Sequence, residues 1–151
     1  MNTHEKIIQW AKDRKIIPNS STRIQCLKAV SEIGELADAL IKHDVEAIKD
    51  AAGDIMVCMY IANYLSDDRL IDKCELAAVS DILTSLLMLI KFNAVVRQSE
   101  SIGQILTRII EPYNLTLDEC IDSAYEVIKD RKGTLLDNGV FVKDESQKEP
   151  F

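Results

Sequence analysis

Two pairs of carboxylates stand at spacings that allow chemistry. Glu32 and Glu35 are one helical turn apart, Asp50 and Asp54 are likewise one turn apart, and only a short connection separates the two stretches. If both stretches are helical they are antiparallel neighbours, and four acids can converge across one helix pair. Such a cluster repels itself and resists desolvation, most severely at Asp54, which follows Gly53 and precedes the apolar run IMVCMYIA. A hard divalent cation removes that difficulty. Magnesium takes oxygen ligands, keeps several waters and joins one or two carboxylates to phosphates, which suits an acidic site without histidine or thiolate. A ferritin-type di-iron bundle needs Glu-x-x-His, and neither His4 nor His43 follows an acid at that spacing. The competing reading is a solvated helix face, the usual meaning of charges at helical spacing; it is weakest for Asp54.

The elements that must position these acids are helices. Ile7, Ile8, Trp10 and Ala11 predict a first helix from Glu5 to about Lys15, with Trp10 as a core anchor, closing at the loop Ile17-Pro18-Asn19-Ser20-Ser21. A second helix starts after Ser20 or Ser21 and runs to about His43, with Ile24, Leu27, Val30, Ile33, Ala37, Leu40 and Ile41 as its apolar stripe and Lys28, Glu32, Glu35 and Asp38 off it. Asp44 caps a third helix, Val45 to Leu65, whose second half is apolar nearly all round. Leu70 to about Val96 reads as one long or two bent helices, and Ile102 to Ile110 as a shorter one ending before Pro112. Thr116 and Glu119 form a capping box for a last helix, which runs through Ile128 to the basic Lys129-Asp130-Arg131-Lys132 and stops at Gly133 as a left-handed terminator. Beyond it, Asn138-Gly139 between short apolar runs predicts a small hairpin.

The expected fold is all-α, a bundle of five or six helices in one domain over residues 1–133, with residues 134–151 as a hairpin or tail packed on it or extending from it. A chain of 151 residues with 47% hydrophobic and 28% charged residues and few glycines or prolines fits this class. A net charge of −7 argues against binding a nucleic-acid duplex, which needs a basic stripe. It permits a free nucleotide that arrives with its metal. Cys26, Cys58, Cys74 and Cys120 form no C-x-x-C pair and read as reduced packing residues. The charged amino terminus and the lack of a membrane-length apolar run predict a soluble, cytoplasmic protein without membrane contact. The aliphatic excess of the third helix and of the Leu70–Val96 stretch predicts a homodimer or homotetramer.

The run Ser31-Glu32-Ile33-Gly34-Glu35-Leu36-Ala37-Asp38-Ala39-Leu40, with Gln25 and Lys28 upstream, resembles the E-x-x-E helix of the MazG-like superfamily, and Asp50-Ala51-Ala52-Gly53-Asp54-Ile55 resembles its second acidic motif. Phage-type members end with a helix similar to Ala124-Tyr125 to Lys129-Asp130-Arg131-Lys132-Gly133, followed by a segment similar to Gly139-Val140-Phe141-Val142-Lys143. The three blocks occur in order. Two positions depart from the pattern: Ala51 stands where the second motif commonly has glutamate, with Asp50 as the available substitute, and Glu126 stands where many relatives carry asparagine.

The resemblance implies an all-α nucleoside triphosphate pyrophosphohydrolase that hydrolyses a (deoxy)nucleoside triphosphate to the monophosphate and pyrophosphate. Magnesium, with manganese as a substitute, would be held by Glu32, Glu35, Asp50 and Asp54. A glutamate, Glu32 by preference over Glu35, would accept the proton of the attacking water. Lys28, Glu126, Lys129, Arg131 and Lys132 would contact substrate. For the basic residues the alternatives are an ion pair of Lys28 with Glu32 and simple offsetting of the helix dipole. The rival functional reading, motivated by Ala51 and Glu126, is a catalytically inactive regulatory or dimerisation module. If phage-encoded, the protein would act in the host cytoplasm.

Overall fold

The computed structural model describes residues 1–66, 99–137 and 139–144. The stretch expected to be helical from Leu70 to Val96, with Cys74, lies outside the described residues.

The helices begin where side chains can satisfy their free amides. Helix α1, Thr3–Asp13, starts two residues earlier than its apolar pattern suggests because Asn2 caps it: the Asn2 side chain accepts from the Glu5 amide and the Glu5 carboxylate accepts from the Asn2 amide, both at 2.9 Å. Lys15 then adopts a left-handed conformation, and the expected loop holds a short kinked segment, α2, Ile16–Asn19, which is extended at Ile17 (φ −97°, ψ 122°) before a cis Ile17–Pro18 peptide. Helix α3, Thr22–Lys42, is capped by Ser21 and ends at His43, which is exposed and left-handed (φ 53°). Helix α4, Val45–Leu65, is capped by Asp44, whose carboxylate accepts from the Ala47 amide at 3.1 Å. Helix α5, Ser99–Ile110, runs into a 3₁₀ turn at Glu111–Tyr113. Helix α6, Leu117–Ile128, opens with the capping box of Thr116 and Glu119.

The architecture is all-α with one small strand pair. Helix α4 is its axis: α3 packs along it, and α6, α5 and α1 pack against its other sides. That explains why α4 buries Ile48, Ile55, Met56, Met59 and Ile61 together with its small residues. The closest approach is at Gly53, where a Cβ would lie 2.2 Å from the Cys120 carbonyl oxygen on α6. Cys26, Cys58 and Cys120 are buried thiols within this packing. Among the described residues no helix is long and apolar enough to cross a membrane.

The buried face of helix α3 overlaps the expected stripe at Ile33 and Leu40 and is otherwise rotated from it. Cys26, Ala29, Ile33, Leu36, Ala39 and Leu40 are buried, whereas Leu27 and Ile41 are 62% and 77% exposed and Val30 is exposed beside them. The helix is apolar around most of its circumference, so periodicity admits two stripes. The one containing the small Ala29 and Ala39 lets α4 approach.

The carboxyl end of α6 also differs. The helix stops at Ile128, and Lys129-Asp130 form a turn closed by the Arg131 amide on the Ile128 carbonyl, with Arg131-Lys132 extending from it. Gly133 opens strand β1, Gly133–Leu135, and is no left-handed terminator: Gly139 is the glycine of positive φ among the described residues. The Tyr125 and Ile128 carbonyls accept from the Lys129 and Arg131 amides, both at 2.9 Å, and the Arg14 guanidinium holds the segment that follows, donating through Nε to the Arg131 oxygen at 2.8 Å and through Nη2 to the Lys129 oxygen at 3.4 Å. Strand β2, Phe141–Lys143, pairs antiparallel with β1, Leu135 opposite Phe141. Their connection is longer than a two-residue Asn-Gly turn. Gly139, at φ 79°, sits against the Asn19 carbonyl, where a Cβ would come within 2.7 Å, and so seats the hairpin on the loop before α3.

Candidate active site

A cleft of about 110 Å³ lies among α1, α3, α4, the end of α6 and β2. Helical spacing delivers its wall. From α3 come Gln25, Lys28 and Glu32; from α4 come Asp54, Val57, Cys58 and Ile61, each set following one edge of its helix. The remaining wall is Trp10, Ile16, Ile128, Arg131 and Phe141.

Glu32 and Asp54 are half-buried in that wall. Burial, then the charges of Asp54 and Glu35, push the Glu32 carboxyl up to about 7, with a smaller upward push from Asp50 and an opposing pull from Lys28. The other three acids therefore all act on Glu32, while only Glu32 and Asp54 line the cleft; Glu35 and Asp50 are exposed outside it. Among the described residues no three or more His, Cys, Asp or Glu side chains stand close enough together to form a preassembled metal cage. The cleft donors are oxygens. The Cys58 thiol is pushed up to about 12 by burial, with Glu32 and Asp54 adding to the rise against Lys28, and stays protonated at neutral pH. Two carboxylates with room for waters and phosphate oxygens fit magnesium and do not fit zinc.

Ala51 is 4% exposed, packed in the core around α4. A glutamate there would be buried, so the departure at this position follows from the packing; Asp50 faces outward. Of the basic residues expected near substrate, Lys28 and Arg131 line the cleft. Lys129 and Lys132 are exposed outside its lining, and Lys129 is hydrogen-bonded to Glu126, which is also exposed.

Three members of the wall escape sequence reasoning as site residues. Trp10 belongs to the core as expected, yet it also lines the cleft, and its indole N–H is buried with no acceptor among the described residues. Phe141 reaches the cleft from the hairpin, its ring edge-on to Trp10 at 6.1 Å between centroids. Gln25 is buried and donates its amide to Ser20 Oγ at 2.9 Å. Their joint presence depends on the hairpin folding back over α1 and the start of α3, and no local pattern signals that.

The chain is 39% identical over 57 residues to an uncharacterized 18.2 kDa protein in the rep-hol intergenic region of Haemophilus phage HP1, which covers 38% of this chain and 35% of that protein. The chain thus spans about a third of the curated relative it matches. No family model matches, and no solved structure matches.

Proposed function

We propose that this chain is a nucleoside triphosphate pyrophosphohydrolase of the all-α, MazG-like type, converting a (deoxy)nucleoside triphosphate and water to the monophosphate and pyrophosphate. The observation that carries the reading is the half-buried pair Glu32 and Asp54 from adjacent helices, in one cleft with Lys28 and Arg131. Acids alone would repel a polyphosphate, and cations alone would need no buried carboxylates. Their combination suits a substrate that comes with its cation.

Glu32 and Asp54 would hold magnesium or manganese, with Glu35 and Asp50 adding charge from the rim. When bound, the metal would neutralise phosphate charge and lower the pKa of the attacking water. Glu32 would receive that water's proton. The Arg131 fork suits two phosphate oxygens at once, and Lys28 supplies a second positive charge.

The test is release of pyrophosphate from the common ribo- and deoxynucleoside triphosphates with magnesium, by the native protein and by Asp54→Asn. Turnover in the native protein, lost in the variant, is expected. No turnover with any nucleotide favours the inactive regulatory module, a reading supported by the position of Glu35 and Asp50 outside the cleft wall. The expected homodimer or homotetramer finds its support on the outer side of α3, where Leu27, Val30 and Ile41 are exposed, and less on α4, which its own chain buries.

A further inference from the structure

Helix α3 carries a second apolar stripe on its outer side. Leu27, Val30, Gly34, Ala37 and Ile41 follow one another at spacings of three, four, three and four, which align them along one line of the helix. Leu27 is 62% exposed, Val30 39% and Ile41 77%, and a Cβ at Gly34 would meet nothing within 4 Å. Lys28 and Glu32, which line the cleft, leave the helix about half a turn round from this line, so stripe and cleft look in opposite directions. A continuous apolar line on the surface of a chain with net charge −7 marks a contact surface, since isolated exposed side chains would not align.

The stripe matches itself when reversed. Counting from Gly34, Leu27 stands seven residues before and Ile41 seven after, and Val30 four before and Ala37 three after. On one flank the exposed Ser31 stands three before and the exposed Asp38 four after. At the ends the exposed Arg23 stands eleven before and the exposed Asp44 ten after. A second copy running antiparallel across Gly34 therefore sets Leu27 against the partner's Ile41, the Ser31 hydroxyl against the partner's Asp38 carboxylate and Arg23 towards the partner's Asp44, each contact made twice. A parallel pair would set each residue against itself, bringing Asp38 to the partner's Asp38 and Arg23 to the partner's Arg23, and like charges so placed repel. The charges thus select the antiparallel pair, and Gly34, having no side chain, lets the two axes approach at the crossing.

We propose that the outer stripe of α3 joins two copies of this chain antiparallel about a two-fold axis at Gly34, with the two clefts on the far sides of the pair. The homodimer expected from the sequence thereby gains a surface, an axis and a direction, and the inference does not depend on nucleotide hydrolysis. From Leu27 to Ile41 the seam is about 21 Å long on a helix about 10 Å across, an area well below the roughly 800 Å² per partner of a standard interface, so the pair is reversible.

Sedimentation of the full chain from about 1 to about 100 μM, the range in which a small interface dissociates, is expected to show monomer and dimer in exchange. Ile41→Asp places a charge in the seam and should weaken association about tenfold or more. Gly34→Leu should weaken it likewise while the melting temperature stays level or rises, because the space above Gly34 is empty in its own chain and leucine favours a helix over glycine. That variant separates loss of the seam from loss of the fold. Direction is read by cross-linking with oxidised glutathione as the electron acceptor. A mixture of Leu27→Cys and Ile41→Cys chains should form a disulfide-linked dimer in excess of either variant alone, with the native chain as background.

A native chain that stays monomeric across the range overturns the proposal, as does a dimer that neither Ile41→Asp nor Gly34→Leu weakens. Cross-linking of Leu27→Cys with itself and not with Ile41→Cys would mean a parallel pair and overturns it too.

Discussion

Asp54 on α4 faces Glu32 on α3 across the cleft, and after burial itself the Asp54 charge is the strongest influence holding the Glu32 carboxyl up to about 7. The folded protein therefore binds a proton that the unfolded chain, with a glutamate near its ordinary 4.5, releases earlier. Stability from this group is complete below about pH 4.5 and is lost as pH rises towards 7, where the folded carboxyl ionises. In chelator, the melting temperature should fall across that window, and Glu32→Gln should flatten the fall. Magnesium should raise the melting temperature more at about pH 8 than at about pH 5, since ligands must be deprotonated to bind it. An identical pH slope in Glu32→Gln would show that this carboxyl is not under strain.

Three of the acids, Glu32, Asp54 and Asp50, should separate by position. Glu32→Gln and Asp54→Asn remove cleft-lining oxygens and should each lower pyrophosphate release about 100-fold or more. Asp50→Asn removes an exposed charge and should cost less than about fivefold, the range for solvent-screened interactions. Steady-state rates on the three variants decide the matter. A larger loss in Asp50→Asn than in Asp54→Asn would move the metal to the rim.

How much of this was legible beforehand depended on the range of the interactions. Caps are local: Asp44 and Thr116 with Glu119 were readable from residue type alone, and the cap of α3 was narrowed to Ser20 or Ser21, of which Ser21 serves. The carboxylate spacing was also local, and it placed Glu32 and Asp54 on facing helices. Which apolar stripe of α3 faces inward was not local: Leu27 and Leu40 look alike in a periodicity count, and only the fit of Ala29 and Ala39 against α4 decides between them. The end of α6 was misread for a related reason. A glycine after a basic run suggests a left-handed cap, but the Ile128 carbonyl already takes the Arg131 amide, and Arg14, more than a hundred residues earlier, holds the Lys129 and Arg131 carbonyls beyond it. The aromatic end of the cleft likewise joins α1 to the hairpin across nearly the whole chain.

Gly53→Ala offers a test of the helix packing beside the site. In an open helix this change would stabilise by up to about 1 kcal/mol. Here the new methyl would meet the Cys120 backbone oxygen at 2.2 Å and the Ala124 Cβ at 2.8 Å, and a backbone atom cannot yield as a flexible side chain does. Overpacking of this kind costs about 1–3 kcal/mol, so the net sign is destabilising. Thermal denaturation should show a melting temperature several degrees lower, at about 2–4 °C per kcal/mol for a chain of this size. A higher melting temperature would mean that α4 and α6 stand further apart than described.

The basic turn after α6 should act through one residue. Arg131 lines the cleft, whereas the Lys129 ammonium is exposed, hydrogen-bonded to Glu126 and turned away from the lining. Arg131→Ala should raise the KM for nucleotide about tenfold or more, the loss expected for a charge-assisted contact to phosphate. Lys129→Ala should change it less than about twofold. Arg14 does not itself line the cleft, yet it holds the carbonyls of Lys129 and Arg131 and so fixes the backbone from which the Arg131 side chain projects. Arg14→Ala should therefore raise KM in the same direction as Arg131→Ala by a smaller factor, and the double variant should be no worse than Arg131→Ala alone, since both changes act through one contact. Additive losses in the double variant would show that Arg14 serves stability of the α6 end without positioning Arg131.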